Sequence, residues 1–427
     1  MLLPKRLSFM NKRKFSKEEI SWILYDVANS AFTMILTATI PIYFRGLATA
    51  SGITEAHATS IWGTTTSGAL LILACLSPVL GALADYQNMK KRIFSYFLAL
   101  GIISGLALIF APNWITFLIC IVLTRLGYAA CNIFYDAMLI DVTPNERMDY
   151  ISSMGFAWGY IGSCIPFLAG ILLILLTPFG LNTVSATKLS FFITMVWWFA
   201  LTIPLLKNVK QTHYLRPKKK VVSHSFRRLG VTFVKLRRNK KLLFYILGYF
   251  FYIDGVYTII SMATTYGGEV GIDSTQMILA LLVTQVVAFP FSILSAVFSK
   301  KFGTMRVLKT YIILYMGICA FGYGLDTALE FWILAFLVGM CQGGIQALSR
   351  SQFGRMIPKK EASEYFGFFD IFGKFADFLG PLIISICAFF LHSSKYGVLS
   401  LVVLFLIGFC FLCKAEKLIK EENREDF

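Results

Sequence analysis

The sequence predicts an all-α membrane protein with twelve transmembrane helices in two six-helix bundles and with both termini in the cytoplasm. Three observations lead to this fold class. Hydrophobic residues make up 57% of the chain and charged residues only 15%, against about 25% charged residues in soluble domains. Twelve apolar segments are each near the roughly twenty residues that cross a bilayer. The basic residues also gather on one predicted side of the membrane.

The apolar segments fall into two groups of six around a basic stretch. Those before it cover residues 20–44, 60–84, 93–111, 114–140, 151–177 and 189–206. Those after it cover residues 242–265, 276–298, 307–326, 329–349, 364–391 and 396–413. The predicted units are a basic cytoplasmic N-terminus (1–19), an N-terminal bundle (20–206), a basic cytoplasmic linker (207–241), a C-terminal bundle (242–413) and a cytoplasmic tail (414–427).

The distribution of basic residues sets the predicted orientation. The linker holds 13 of the 40 Lys and Arg residues and no Asp or Glu. In this topology 35 basic residues lie inside and only Arg45, Lys188 and Lys395 lie in outside loops, as the positive-inside rule requires. Because the net charge of +17 is spread over short loops, we expect contact with membrane lipid and no nucleic-acid partner. The apolar segment after residue 19 is too long for a cleavable signal.

Several kinds of chemistry are not expected. The nine cysteines lie in or at the ends of apolar segments, including the closely spaced Cys410 and Cys413, which predicts packing residues instead of disulfides or metal ligands. No Walker loop, zinc-protease pattern or nucleophile elbow occurs, and the four histidines all lie in loops. The sequence therefore predicts no enzyme, no cofactor and no metal site.

Ionisable residues within the apolar segments are the candidate functional residues. A charge at the centre of a membrane helix costs about 2.5–3.5 kcal/mol on insertion scales, so such residues usually face a cavity or one another. Helical spacing places polar residues on one face in each of the first, fourth, seventh and tenth segments. The predicted substrate- or proton-binding residues are Asp26, Asn29, Arg125, Asn132, Asp136, Asp254, Tyr257, Gln342 and Gln346.

Structural pairing is the alternative for some of these charges. Lys374 lies four residues from Asp370 and three from Asp377, which predicts a charge network along one helix. Arg125 either neutralises a carboxylate or contacts substrate. Asp26 and Asp254 have no basic residue within a helical turn, so we expect a cavity role for them as a proton site, a partner for a substrate amine, or a gate.

Three further charged residues lie near the ends of the segments. The membrane interface accounts for these positions, which are Asp141, Glu330 and Arg350.

The loop after the second segment predicts a cytoplasmic gate. Residues 81–85 read GALAD, and Gly81 allows close approach of another helix. Asp85 is followed by Lys90, Lys91 and Arg92, whose charges are expected to lock the inward side by pairing. This arrangement resembles the loop signature of the major facilitator superfamily, in which the first, fourth, seventh and tenth helices line a central cavity.

Four stretches resemble the vacuole-effluxer-like branch of that superfamily. They read SWILYDVANSAF (21–32), YIDGV (252–256), GGIQALSRS (343–351) and FGKFADFLGP (372–381). The resemblance implies the major facilitator fold and, because the branch includes fungal permeases that release amino acids from the vacuole, transport of amino acids or similar small polar metabolites.

Together these features predict a secondary active transporter that works by alternating access. The expected partners are a small-molecule substrate, protons as a coupling ion, and membrane lipid, and the expected state is a monomer. The location follows from the source: the cell membrane, or the vacuolar membrane if the source is fungal. A sugar or drug permease and a non-transporting membrane sensor or scaffold are the alternatives.

Overall fold

The computed structural model describes residues 14–216, 221–391 and 393–425. Within these residues the secondary structure is helical, and a single β-bridge joins Tyr86 to Leu215 of the linker. The expectation of an all-α membrane protein is confirmed.

The N-terminal half contains seven helices because the first predicted segment is broken. A capping box between Ser16 and Glu19 starts the first helix, and the chain bends by 40° at Thr39, just before Pro41 at the start of the next helix. The helices are α1 (Lys17–Ala38), α2 (Ile40–Ala50), α3 (Glu55–Ala84), α4 (Met89–Ala107), α5 (Trp114–Val142), α6 (Met148–Leu176) and α7 (Thr183–Asn208).

The linker contains a helix that the sequence analysis did not predict. This helix, α8 (Val221–Arg238), is separated from the next helix by Asn239 alone. The Asn239 side chain accepts a hydrogen bond from the Leu242 N–H and thereby caps that next helix.

The C-terminal half contains six helices. They are α9 (Lys240–Glu269), α10 (Ser274–Phe302), α11 (Thr304–Tyr323), α12 (Ala328–Met356), α13 (Ala362–Leu391) and α14 (Ser394–Glu425). The last helix continues well past residue 413 into the predicted tail. Ten helices are long and apolar enough to cross a membrane, and the bent pair α1–α2 makes eleven among the residues that the structure describes. The twelfth span, which the sequence analysis assigned to residues 364–391, remains a prediction.

The two halves meet through α3 against α13 and through α6 against α10 and α12. Glycines permit this contact. A Cβ atom at Gly367 would lie 2.6 Å from the backbone oxygen of Ser77, and one at Gly81 would overlap the Ser363 backbone. The close approach predicted at Gly81 is therefore present. We call the end of the bundle that contains the α3–α4 loop and α8 the linker end.

Candidate functional site

A cluster of charged side chains joins the two halves. Arg350 of α12 lies 2.9 Å from Asp136 of α5 (Nη1 to Oδ1) and 3.3 Å from Asp26 of α1 (Nη2 to Oδ2). Its Nε donates to the Ser152 hydroxyl of α6 at 3.0 Å. Only 5% of the Arg350 side chain is exposed. We call these four residues the Arg350 cluster, and it brings together side chains from three N-half helices and one C-half helix.

Aromatic rings surround the guanidinium of this cluster. Its carbon lies 4.4 Å from the centre of the Phe156 ring and 4.6 Å from that of Trp22, which are distances for cation–π attraction. Gly155 makes room for the pair, since a Cβ atom there would lie 2.5 Å from Asp26 Oδ2. The aromatic rings exclude water, which strengthens the charge–charge contacts inside.

The role of Arg350 was not recognised in the sequence, where the position was ascribed to a helix end at the membrane interface. The structure corrects this: Arg350 is buried between the halves, although six residues of α12 follow it. A signal was available, because Gln342, Gln346 and Arg350 are spaced by four residues and share one helical face.

The polar stripe on α1 continues from this cluster toward the opposite end of the bundle. Asn29 donates to Asn132 at 3.0 Å, and Thr33 and Tyr128 share a hydrogen bond of 2.7 Å. Asp26 and Asn29 are buried, whereas Thr33 is exposed. The stripe therefore becomes accessible with increasing distance from the linker end.

The corresponding stripe on α9 shows the same gradient. Asp254 is fully buried and accepts a hydrogen bond of 2.8 Å from the Gly380 N–H of α13. Tyr257 is half-buried and Ser261 is exposed. The two first helices of the halves thus both carry polar faces that open away from the linker.

The amides predicted on α12 lie between the cluster and a cavity in the C half. Gln346 donates to the Tyr160 hydroxyl of α6 at 3.1 Å, so it touches both halves. Gln342 and Thr258 line the cavity together with Gln285 and mainly apolar side chains. Gln342 Nε2 and Thr258 Oγ1 are buried without a hydrogen-bond partner among the residues that the structure describes. A ligand in the cavity would find a free donor at each.

The remaining predicted charges lie outside the cluster. Arg125 is half-buried on α5, about three turns from Asp136. Lys374 and Asp370 form the predicted ion pair along α13. Asp370 also accepts a hydrogen bond of 2.6 Å from Ser77 of α3, so this pair contributes to the contact between halves. The Asp377 side chain lies outside the described residues.

The predicted gate residues have different partners from those expected. Lys90 is buried and pairs with Asp141 of α5 at 2.7 Å, and Lys91 donates to the Val209 backbone oxygen at 2.9 Å. Arg92 is exposed. These two partners belong to the N half and to the start of the linker, so neither lysine contact joins the two halves.

Asp85 contacts the C half directly, and these lysines do not take part in that contact. Its carboxylate accepts hydrogen bonds from the Ser363 and Glu364 N–H groups at the start of α13, at 2.8 and 3.2 Å. Arg228 of α8 lies 3.3 Å from Asp85 and also pairs with Glu364. We call Asp85, Arg228, Ser363 and Glu364 the linker latch. Burial raises the pKa of Asp85 to about 7, against the lowering effect of Lys90 and Arg228.

A third polar contact lies at the same end. Asp149 at the start of α6 pairs with Arg355 of α12 at 2.8 Å and accepts a hydrogen bond of 2.7 Å from Thr304. The Arg350 cluster, the linker latch and the Asp149 contact all join the halves in the part of the bundle nearer the linker. The linker end is therefore closed.

Comparison with known sequences identifies a family. The family model described as "Vacuole effluxer Atg22 like" matches residues 15–142 and 140–421. The MFS-type transporter YxiO of Bacillus subtilis (strain 168) is 44% identical over 420 residues, which cover 97% of each chain. Autophagy-related protein 22 of Yarrowia lipolytica is 24% identical over 304 residues, which cover 64% of this chain and 51% of the fungal protein.

Several solved transporter structures have a similar fold. A bacterial homologue of the iron transporter ferroportin, in an outward-facing state, has a TM-score of 0.69 at 13% identity and covers 94% of this chain and 98% of its own. The major facilitator superfamily transporter FucP, in its outward conformation, has a TM-score of 0.68 at 14% identity. The match covers 93% of this chain and 97% of FucP. The chain therefore belongs to the Atg22-like vacuole effluxer family of the major facilitator superfamily and is an integral membrane protein with a transporter fold.

Proposed function

We propose that this protein is a secondary active transporter that moves small polar solutes, with amino acids as the first candidates, by alternating access. The two halves rock about a site near the middle of the membrane. The linker end faces the cytoplasm, because 34 of the 40 basic residues lie on that side in the proposed topology once the buried Arg350 is left out. The end-to-end relationship to the Bacillus subtilis transporter favours the cell membrane as its location.

The Arg350 cluster is the observation that carries this proposal. A buried arginine from one half held by two carboxylates of the other gives a contact that is either made or broken. Bistable contacts of this kind convert a small local change into movement of whole bundles. The closed linker end, together with the polar stripes that become exposed away from it, supports an outward-facing arrangement.

The charge balance of the cluster supports proton coupling. One guanidinium faces two carboxylates, so the cluster carries one excess negative charge when both Asp26 and Asp136 are ionised. One proton bound to either carboxylate would cancel this excess charge. When the linker end opens, water reaches the carboxylates and the proton leaves to the cytoplasm. A proton thus enters from one side and departs to the other.

The choice of amino acids rests on complementarity. The cluster offers a cation and carboxylates, which match the carboxylate and ammonium groups of an amino acid. The C-half cavity adds the buried donors of Gln342 and Thr258 within apolar walls, which suit an uncharged side chain. The resemblance to vacuolar amino-acid permeases points to the same substrate class.

Flux in proteoliposomes tests the proposal. Purified protein would be reconstituted and given each amino acid in turn, with and without a proton gradient directed into the liposomes. We expect saturable uptake of a subset, driven by the gradient, and loss of the pH response in Asp26→Asn and Asp136→Asn. Absence of flux for every amino acid under both conditions would contradict the amino-acid assignment.

A permease for drugs or sugars is the second candidate. The largely apolar cavity lining favours the drug alternative over the sugar alternative, because many drugs have a larger apolar body than most amino acids, whereas sugars are polar. A panel of sugars and lipophilic drugs in the same liposomes separates the two. A protein without any flux, whose linker deletion still abolished a cellular phenotype, would instead be a sensor or scaffold.

A further inference from the structure

The outward side of helix α8 is a basic and apolar surface with no contact to account for it among the residues that the structure describes. Its apolar members are Val231, Phe233 and Val234, with 51%, 55% and 46% of each residue exposed. Its basic members are Arg237 and Arg238, both exposed. We call these five residues the docking face. Large apolar side chains so exposed to water are unfavourable, which indicates a partner that covers them.

The opposite side of α8 packs against the rest of the protein. Ser225, Thr232 and Leu236 are buried. They are seven and four positions apart, so they lie on one face of the helix. Arg228 on this side belongs to the linker latch. The helix therefore has one face on the gate and one face turned outward.

The position of α8 identifies the partner. Only Asn239 separates α8 from α9, and α9 is long and apolar enough to cross a membrane. The C-terminal turn of α8 must therefore lie close to the level at which α9 leaves the hydrocarbon. Residues 207–241 contain no acidic residue, so the whole segment favours a negative surface. Basic side chains beside exposed apolar ones are typical of helices that lie in the headgroup region.

We propose that α8 docks on the anionic leaflet of the membrane through its docking face, and that docking holds Arg228 in the linker latch. The apolar side chains enter the boundary between headgroups and acyl chains, while Arg237 and Arg238 pair with lipid phosphates. Because Arg228 is on the same rigid helix, the lipid surface stabilises closure of the linker end. This regulatory contact does not depend on which solute is transported.

Hydrogen exchange on the full-length protein tests docking. The protein would be placed in nanodiscs of pure phosphatidylcholine and in nanodiscs with about 30% phosphatidylglycerol. We expect exchange of the α8 amides to slow severalfold in the anionic discs. The effect should weaken at high salt, which screens exposed charges. Equal exchange in the two lipids would overturn the proposal.

Two variants define which residues are responsible. Arg237→Gln with Arg238→Gln should abolish the lipid response of α8, as should Phe233→Ser with Val234→Ser. Lys359→Gln with Lys360→Gln is the matched control, because it removes two exposed charges at the same end of the bundle but outside α8. A control variant that lost the response as completely as the Arg237 and Arg238 variant would show a non-specific charge effect and overturn the assignment.

The coupling to the latch has its own readout. The Ser363 and Glu364 amides donate to Asp85, so their exchange reports whether the latch is closed. We expect anionic lipid to slow their exchange in the wild type but not in Arg228→Gln, whose α8 still responds to lipid. An unchanged response in that variant would overturn the coupling. Protection of α8 by added polyglutamate, with none by anionic lipid, would overturn lipid docking and identify an acidic protein as the partner instead.

Discussion

Asp26 and Asp254 occupy corresponding places in the two halves but have different surroundings. Each lies on the first long helix of its half, one position or two after a tyrosine. Asp26 meets Arg350 from the other half at 3.3 Å. Asp254 accepts a hydrogen bond from the Gly380 backbone of its own half at 2.8 Å. The same residue type at the same relative place thus contributes to a contact between bundles in one half and to packing within a bundle in the other.

Glycines explain how each arrangement is possible. Gly155 leaves space for Arg350 beside Asp26, and Gly380 lets α13 approach Asp254 so closely that a side chain there would overlap Thr258. Repeat symmetry in a sequence therefore does not imply equal contacts. The contact between the halves at Asp26 is asymmetric, because its cation comes from the C half and its carboxylates come from the N half.

The largest expected effect follows from removing the cation. Arg350→Gln removes the guanidinium from the buried Asp26 and from the half-buried Asp136, and loss of one partner of a buried pair costs about 3–5 kcal/mol. We expect transport to be lost and the melting temperature in detergent to fall. Arg355→Gln is the control, because that arginine lies at the edge of the contact with 21% of its side chain exposed. Equal effects of the two substitutions would remove the special role of Arg350.

Matched asparagine substitutions test whether Asp26 and Asp254 have different roles. Asp26→Asn removes a charge that holds Arg350, so we expect flux to fall about tenfold or more, equivalent to ~1.4 kcal/mol, with loss of the pH-gradient response. Asp254→Asn keeps an oxygen that accepts from Gly380, so a smaller loss and a retained pH response are expected. The reverse order in a liposome flux assay would assign the coupling role to Asp254.

A smaller effect is expected from forcing the halves apart at the linker end. Gly367→Ala would place a methyl group 2.6 Å from the Ser77 backbone oxygen, and overpacking of this kind costs about 1–3 kcal/mol. We expect faster hydrogen exchange at the Ser363 amide. Gly373→Ala is the control, because its nearest neighbour would be the Tyr249 hydroxyl at 3.4 Å. If the Ser363 amide exchanged at the same rate in both variants, the Gly367 contact would not be what holds the halves together at this end.

The smallest expected effect is a pH dependence of the linker latch. Asp85 lies just beyond the end of α3 and faces Lys90, Arg228 and Glu364, and burial raises its pKa to about 7. When the latch opens, the carboxyl meets water and its pKa returns toward about 3.9. The closed form therefore binds the proton more tightly, and lowering the pH from about 8 to 6 favours closure.

Hydrogen exchange at the Ser363 and Glu364 amides, corrected for the intrinsic rate at each pH, measures this dependence. We expect greater protection at the lower pH in the wild type. Asp85→Asn should remove the dependence. A dependence that persists in Asp85→Asn would assign it to another titratable group.

Local patterns in the sequence were enough for most of the architecture. Hydropathy and segment length predict helices that the structure contains, and the spacing of four residues predicts the Lys374–Asp370 pair. The stripe Asp26, Asn29 and Thr33 also follows from helical periodicity. These features depend on residues within a few turns of one another, so they can be recognised along the chain without knowledge of the packing.

The partners across the bundles were decided only by the tertiary structure. Asp26 and Arg350 are 324 positions apart, so local spacing, which places Arg350 on the face of Gln342 and Gln346, does not show that the two residues meet. The same holds for Arg228, which lies in a linker that was predicted to be basic and for which no helix was predicted. The sequence by itself determined which apolar segments are helices and which of their faces are polar, because those depend on local periodicity and solvation. Which polar face meets which depends on how two bundles pack, and that packing brings together residues that the chain keeps far apart.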